Sequence, residues 1–188
     1  MTVDTGKKYH RRRSIRLAGY DYTSEGGYFV TIVTHGRLCL FGEVINGEMH
    51  VNDFGRIVHE EWFNTAKLRP NVELLEDEFV VMPNHIHGII WIEDVTGRCS
   101  LKDNSPVGAY SHTPLRSPSH TIGAIIRGYK GAVTTKKNTI RNSKGSSIWQ
   151  RNYYDHIICS EKDYENIVNY IDSNPLQWEL DKENDHHQ

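Results

Sequence analysis

Two runs rich in β-branched and aromatic residues, Val72 to Met82 and His85 to Ile92, are separated by nothing more than Pro83-Asn84. Proline fixes φ and asparagine tolerates a tight turn, so the break reverses the chain and sets the two runs side by side as a β-hairpin. A chain built around such a hairpin is not a strictly alternating parallel βαβ protein. Upstream, Gly27 to Thr34 (GYFVTIVT) has the composition of a buried, central strand. Leu40 to Ile45 reads as a shorter strand, and Asn46-Gly47 turns it back toward Met49 and Val51. The period then changes. Asn52 can cap a helix whose apolar positions Phe54, Ile57, Val58 and Trp62 fall three or four apart, with Pro70 beyond its end.

Helical spacing returns over Thr121 to Lys137, at Ile122, Ile125, Ile126, Tyr129 and Val133, although Gly123, Gly128 and Gly131 each weaken it by roughly 1 kcal/mol. A last strand, Tyr153 to Ile158, leads to Ser160-Glu161-Lys162-Asp163, which resembles a capping box. The helix it opens is expected to stop near Asn174, because Pro175 disfavours the α region for its predecessor. The order β-β-α-β-β-α-β-α predicts an α+β fold, an antiparallel sheet covered by helices.

With 188 residues the chain suits a single domain. Residues 1–19 read as a basic arm, 20–180 as the domain and 181–188 as an acidic tail. Within the domain, residues 95–119 read as a flexible loop, rich in Pro, Gly, Ser, Asn and Thr. No apolar stretch approaches the roughly 20 residues of a membrane helix, and no apolar region follows the basic N-terminus, so a cytoplasmic protein without a membrane partner is expected. Cys39, Cys99 and Cys159 are far apart and read as free thiols.

The net charge of −2 conceals local blocks. Between His120 and Arg151 there are seven basic residues and no Asp or Glu, among them Arg127, Lys130, Lys136, Lys137 and Arg151. Arg11, Arg12 and Arg13 make the N-terminal arm basic, while acid gathers at Glu60, Glu61, Glu73 and Glu76 to Glu78. Such asymmetry permits a polyanion on one face, and equally a solvated charged surface.

Chemistry is concentrated in Met82-Pro83-Asn84-His85-Ile86-His87. In a strand the two imidazoles project from one face while Ile86 points to the other. Such a pair can hold one divalent ion with positions left open for substrate oxygens; a hydrogen-bonded strand pair is the alternative. A third ligand is expected from the last helix. There Tyr164, Ile167, Val168 and Ile171 form an apolar stripe, with Tyr170 and Asn174 together on its flank. A phenol attacks a phosphate only when the target is activated, which a metal would do. Tyr129, Tyr153 and Tyr154 are competing phenols.

Four segments, in order, resemble the REP-associated tyrosine transposases, single-tyrosine members of the HUH endonuclease superfamily. They are Tyr28-Phe29-Val30-Thr31, Met82 to His87, Trp149-Gln150-Arg151-Asn152-Tyr153-Tyr154-Asp155-His156, and Tyr170-Ile171-Asp172-Ser173-Asn174-Pro175. The resemblance covers about Tyr20 to Leu180. It implies a ferredoxin-like domain that cuts single-stranded DNA at palindromic hairpins, with Tyr170 as nucleophile left joined to the 5′ end. It further implies Mg²⁺ or Mn²⁺ held by His85 and His87, with Asn174 where insertion-sequence transposases carry Gln, and a monomer or homodimer as the working form. The basic residues Arg11, Arg12, Arg13, Arg127, Lys130, Lys136, Lys137 and Arg151 can track phosphates, and Trp149, Tyr153 and Tyr154 can stack unpaired bases. A non-catalytic hairpin-binding protein is the alternative. A histidine-triad hydrolase is disfavoured, because Ile89 stands where its third histidine would be.

Overall fold

A computed structural model describes residues 25–93, 121–141, 147–180 and 184. The arm with Arg11, Arg12 and Arg13, the 95–119 loop, Cys99 and the 181–188 tail apart from Asn184 lie outside the described residues. The central strand is β1 (Gly26–Val33), followed by the separate hairpin β2 (Gly42–Ile45) and β3 (Glu48–Val51). Asn46 and Gly47 join these two with φ of 53° and 81°, the left-handed pair that an Asn-Gly turn supplies. Helix α1 (Asp53–Leu68) leads to β4 (Val72–Glu73), β5 (Phe79–Val81) and β6 (His85–Ile92). Helix α2 (Ile122–Arg141), β7 (Tyr154–Ile157) and α3 (Glu161–Ser173) complete the chain.

In the main sheet β4 and β5 both pair with the outer edge of β6, β6 pairs with β1, and β1 with β7, all antiparallel. Two helical crossovers, α1 and α2, each skip one strand, which is the ferredoxin-like arrangement. Strand alternation divides the core. Tyr28, Val30 and Ile32 of β1 and Ile86, Ile90 and Ile92 of β6 pack beneath α1 and α2 with Trp62, Ile125, Ile126 and Val133. Phe29 and Ile89 face the other way and meet Ile167 and Ile171 of α3. Each such fully buried side chain contributes roughly 1.5–3 kcal/mol. Both expected helix starts are in place: Asn52 accepts from the backbone of Phe54 and Gly55, and Ser160 from that of Asp163.

Three expectations are corrected. Val72 to Met82 is not one strand, because a 3-10 turn at Glu76–Glu78 divides it. The buried Glu78 carboxylate accepts from Trp91 Nε1 and from the Tyr164 hydroxyl, both at 2.7 Å. The chain leaves the ladder there to deliver a carboxylate to two donors. Helix α3 ends at Ser173, as expected, but Pro175 does not move Asn174 out of the α region: its φ and ψ are −58° and −43°. The helix instead tightens into a 3-10 turn, Pro175–Leu180, with Asn174 N–H bonded to the Ile171 carbonyl. Helix α2 also runs on to Arg141, past Lys137. Among the described residues no helix is long and apolar enough to cross a membrane.

Candidate active site

The register of β1 and β6 sets Thr31 opposite His87 and Val33 opposite His85, and both imidazoles lie on the α3 face, opposite Ile86. Their Nε2 atoms are 2.9 Å apart. Two ligands of one octahedral ion, each at about 2.1 Å, lie about 3.0 Å apart, so the pair is already spaced to share an ion. Thr31 Oγ1 lies 2.9 Å from His87 Nδ1, and the ring of Phe29 stacks on that of His87 at 5.5 Å. Both histidines are buried.

Burial, and after it the charge that His85 would carry, holds His87 well below the ordinary imidazole range. At neutral pH it is uncharged, the form that ligates a metal. The sign of the linkage follows. In metal-free protein the unfolded chain takes up a proton at His87 near pH 6.5 while the folded protein does not. Stability is therefore intact above that pH and lost as the pH falls below it. In EDTA the Tm is expected to fall by roughly 3 °C or more between pH 8 and pH 5, and by less in His87→Gln. A profile that the substitution leaves unchanged would count against a neutral buried imidazole.

Helix α3 brings the third group. The Tyr170 hydroxyl lies 3.3 Å from His87 Nε2, and its ring meets those of His87 and Phe29 at 5.0 and 6.1 Å. Tyr170 is 40% exposed. Glu78 fixes the helix relative to the histidine strand, since its two partners, Trp91 and Tyr164, belong to β6 and α3. This bond and burial raise the Tyr164 phenol to about 12.

Asn174 lies on the flank of α3 with Tyr170, but unlike Tyr170 it is not exposed. It is buried, and among the described residues its side-chain oxygen has no hydrogen-bond partner. It stands one turn after Tyr170, and the turn that follows carries Trp178, whose ring is 5.9 Å from that of His85. Leaving an amide oxygen buried without a donor costs about 1–3 kcal/mol, and a cation is one partner such an oxygen can take. Two imidazoles and an amide oxygen are donors that a divalent ion with open positions can take. Among the described residues no three His, Cys, Asp or Glu side chains gather as a metal site.

The basic residues of α2 are not brought to this site. Their helix covers the opposite face of the sheet. Lys136 pairs with the buried Glu61 at 2.5 Å, and the buried Lys137 lies over the Phe54 ring. Lys130 donates to the carbonyls of Gln150 and Asn152, both at 2.9 Å, and burial lowers it to about 8. Arg127 and Arg151 are exposed. Trp149 joins the core, whereas Tyr154 remains 48% exposed opposite Thr31, on the side of the histidines. Sequence reasoning missed Thr31, Glu78 and Trp178 as neighbours of the site, and it read Asn84 only as a turn residue. Thr31 carries a usable signal, since period two along β1 places it beside Phe29 on the face away from the main core.

No protein-family model matches the chain. An uncharacterized protein of Haemophilus influenzae is 45% identical to it over 183 residues, which is 97% of this chain and 98% of that protein. A solved structure of a REP-associated tyrosine transposase bound to a REP hairpin superposes with a TM-score of 0.50 at 19% identity, over 84% of this chain and 71% of that one. At that identity the likeness is one of fold.

Proposed function

We propose that this chain, which belongs to one family with the Haemophilus influenzae protein and has the fold of the REP-associated tyrosine transposases, is a metal-dependent single-strand DNA endonuclease and strand transferase acting at hairpin DNA. The observation that carries this reading is the convergence of His85, His87 and Tyr170. Residues 83 positions apart in sequence put a half-exposed phenol 3.3 Å from one of two imidazoles whose Nε2 atoms are 2.9 Å apart.

His85 and His87, with Asn174, would hold Mg²⁺ or Mn²⁺, which when bound supplies Lewis acidity to a non-bridging phosphate oxygen. Tyr170 Oη forms a bond to phosphorus as the bond from phosphorus to the 3′ oxygen breaks. The phenolic proton is lost to water and the leaving oxygen gains one, so no net proton is consumed. The 5′ phosphate is then esterified to Tyr170 and a 3′-OH is free. Because the phosphotyrosine conserves the ester, another 3′-OH can reverse the step without ATP. Packing of the Tyr170 ring against Phe29 and His87 orients the oxygen before the DNA arrives.

A labelled hairpin oligonucleotide with single-stranded flanks, drawn from palindromes beside the gene, tests this. With Mn²⁺ it should yield a protein–DNA adduct that survives a denaturing gel; EDTA should abolish the adduct and a blunt duplex should give none. Tight hairpin binding without any adduct would overturn the nuclease reading in favour of a non-catalytic hairpin-binding protein.

A further inference from the structure

We propose that Asn84 and Thr31 are positioning residues that set the tautomers of the two histidines, Asn84 as a fixed acceptor and Thr31 as a reversible one. The inference rests on the metal-site reading above and concerns what lies behind the ligands.

Asn84 is fully buried in the turn between β5 and β6, and its backbone carbonyl accepts from Thr34 N–H at 2.8 Å. Its Nδ2 donates to the Arg37 carbonyl at 3.1 Å, and its Oδ1 lies 2.8 Å from His85 Nδ1. The first bond settles the orientation of the amide: a carbonyl takes a donor, so the nitrogen faces Arg37 and the oxygen faces His85. An amide oxygen cannot donate. His85 Nδ1 therefore carries the hydrogen and Nε2 is left with its lone pair, whatever else is bound.

His87 differs, because a hydroxyl can both give and take. When Thr31 donates to Nδ1, the His87 hydrogen sits on Nε2 and bridges the 2.9 Å to His85 Nε2. When Thr31 accepts from Nδ1, the hydrogen is on the far side of the ring and both Nε2 lone pairs face one point. Two lone pairs at that distance repel unless something positive lies between them. The first arrangement suits the protein without an ion and the second suits it with one, so a hydroxyl rotation accompanies the change. Neither arrangement changes the proton count of the pair. Partners behind metal-binding histidines of this kind are worth about 10–100-fold in metal affinity.

Two readouts test the inference on the full chain. In metal-free protein, ¹⁵N–¹H spectra of the imidazole rings should show His85 protonated at Nδ1, and Asn84→Leu should abolish that preference. Calorimetry with Mn²⁺ alone should show about 10–100-fold weaker binding in Thr31→Val and Asn84→Leu. Thr31→Ser, which keeps the hydroxyl in place, should stay within a few-fold of wild type. Should Asn84→Leu fail to fold, the valine and serine variants at Thr31 carry the comparison. Wild-type affinity in Thr31→Val, or equal losses in Thr31→Ser and Thr31→Val, would overturn the inference while leaving the metal site intact. Wild-type protein that binds no Mn²⁺ would overturn the metal-site reading itself.

Discussion

Tyr170→Phe is expected to abolish the covalent adduct while hairpin affinity stays within about twofold and Tm within about 1 °C. The substitution keeps the ring contacts with His87 and Phe29 and deletes one atom, the oxygen that would join phosphorus. A long, 3.3 Å hydroxyl contact on a half-exposed residue, removed without disturbing packing, changes stability by about 0.5 kcal/mol. The other phenols are separated by their surroundings. Tyr129 is buried on the opposite face, its hydroxyl donates to the Val58 carbonyl, and burial followed by the Glu61 charge pushes it well above the ordinary phenol range. Tyr164 is engaged by Glu78. Tyr154 is the serious competitor: it is exposed, and its ring lies 6.5 Å from Phe29, which also touches Tyr170. Tyr154→Phe should therefore be made alongside. An adduct that persists in Tyr170→Phe and disappears in Tyr154→Phe would move the chemistry from α3 to β7.

The parts of this site that the sequence disclosed are those governed by short-range periodicity. Period two placed His85 and His87 on one face, and the helical period placed Tyr170 off the buried stripe of Ile167 and Ile171. Caps at Asn52 and Ser160 and the turn at Asn46-Gly47 are likewise decided within four residues. What escaped depends on partners distant in sequence. Glu78 is one of three acids in a row, and only its donors Trp91 and Tyr164, on β6 and α3, explain why it is buried and why a strand breaks before it. Asn174 lies on the flank that the helical period assigns to it, yet it is buried, with a 3-10 turn following it at Pro175–Leu180. The separation of charge along the chain was also partly illusory. Glu61 and Lys136 belong to an acidic and a basic block in sequence, and they are one ion pair between α1 and α2.

Gly88 joins the two faces of the sheet, and its replacement should have a large effect on stability. It follows His87 in β6 and faces α1, where an added Cβ would lie 2.6 Å from Trp62 Cζ2 and 2.9 Å from Phe79 Cδ2. Neither ring has room to yield: Trp62 is 2% exposed, stacks on Phe79 at 4.7 Å, and meets Tyr129 edge-on at 5.4 Å. A strand gains up to about 1 kcal/mol from replacing Gly by a β-branched residue, but overpacking typically costs about 1–3 kcal/mol and here two fixed aromatics are struck at once. Gly88→Val should therefore lose about 2 kcal/mol, a Tm lower by roughly 4–8 °C. Gly131→Ala supplies the opposite sign. It lies in α2 with nothing within 4 Å of the added carbon, so it should gain about 0.5–1 kcal/mol. Because His87 and Ile89 flank Gly88 on the other face, a displaced β6 also moves an imidazole, and Gly88→Val should weaken Mn²⁺ binding where Gly131→Ala does not. Thermal melts and Mn²⁺ calorimetry on the two variants decide the matter: a Gly88→Val protein as stable as wild type would mean that α1 can lift from the sheet, and that the close approach of Trp62 does not hold the histidine strand in place.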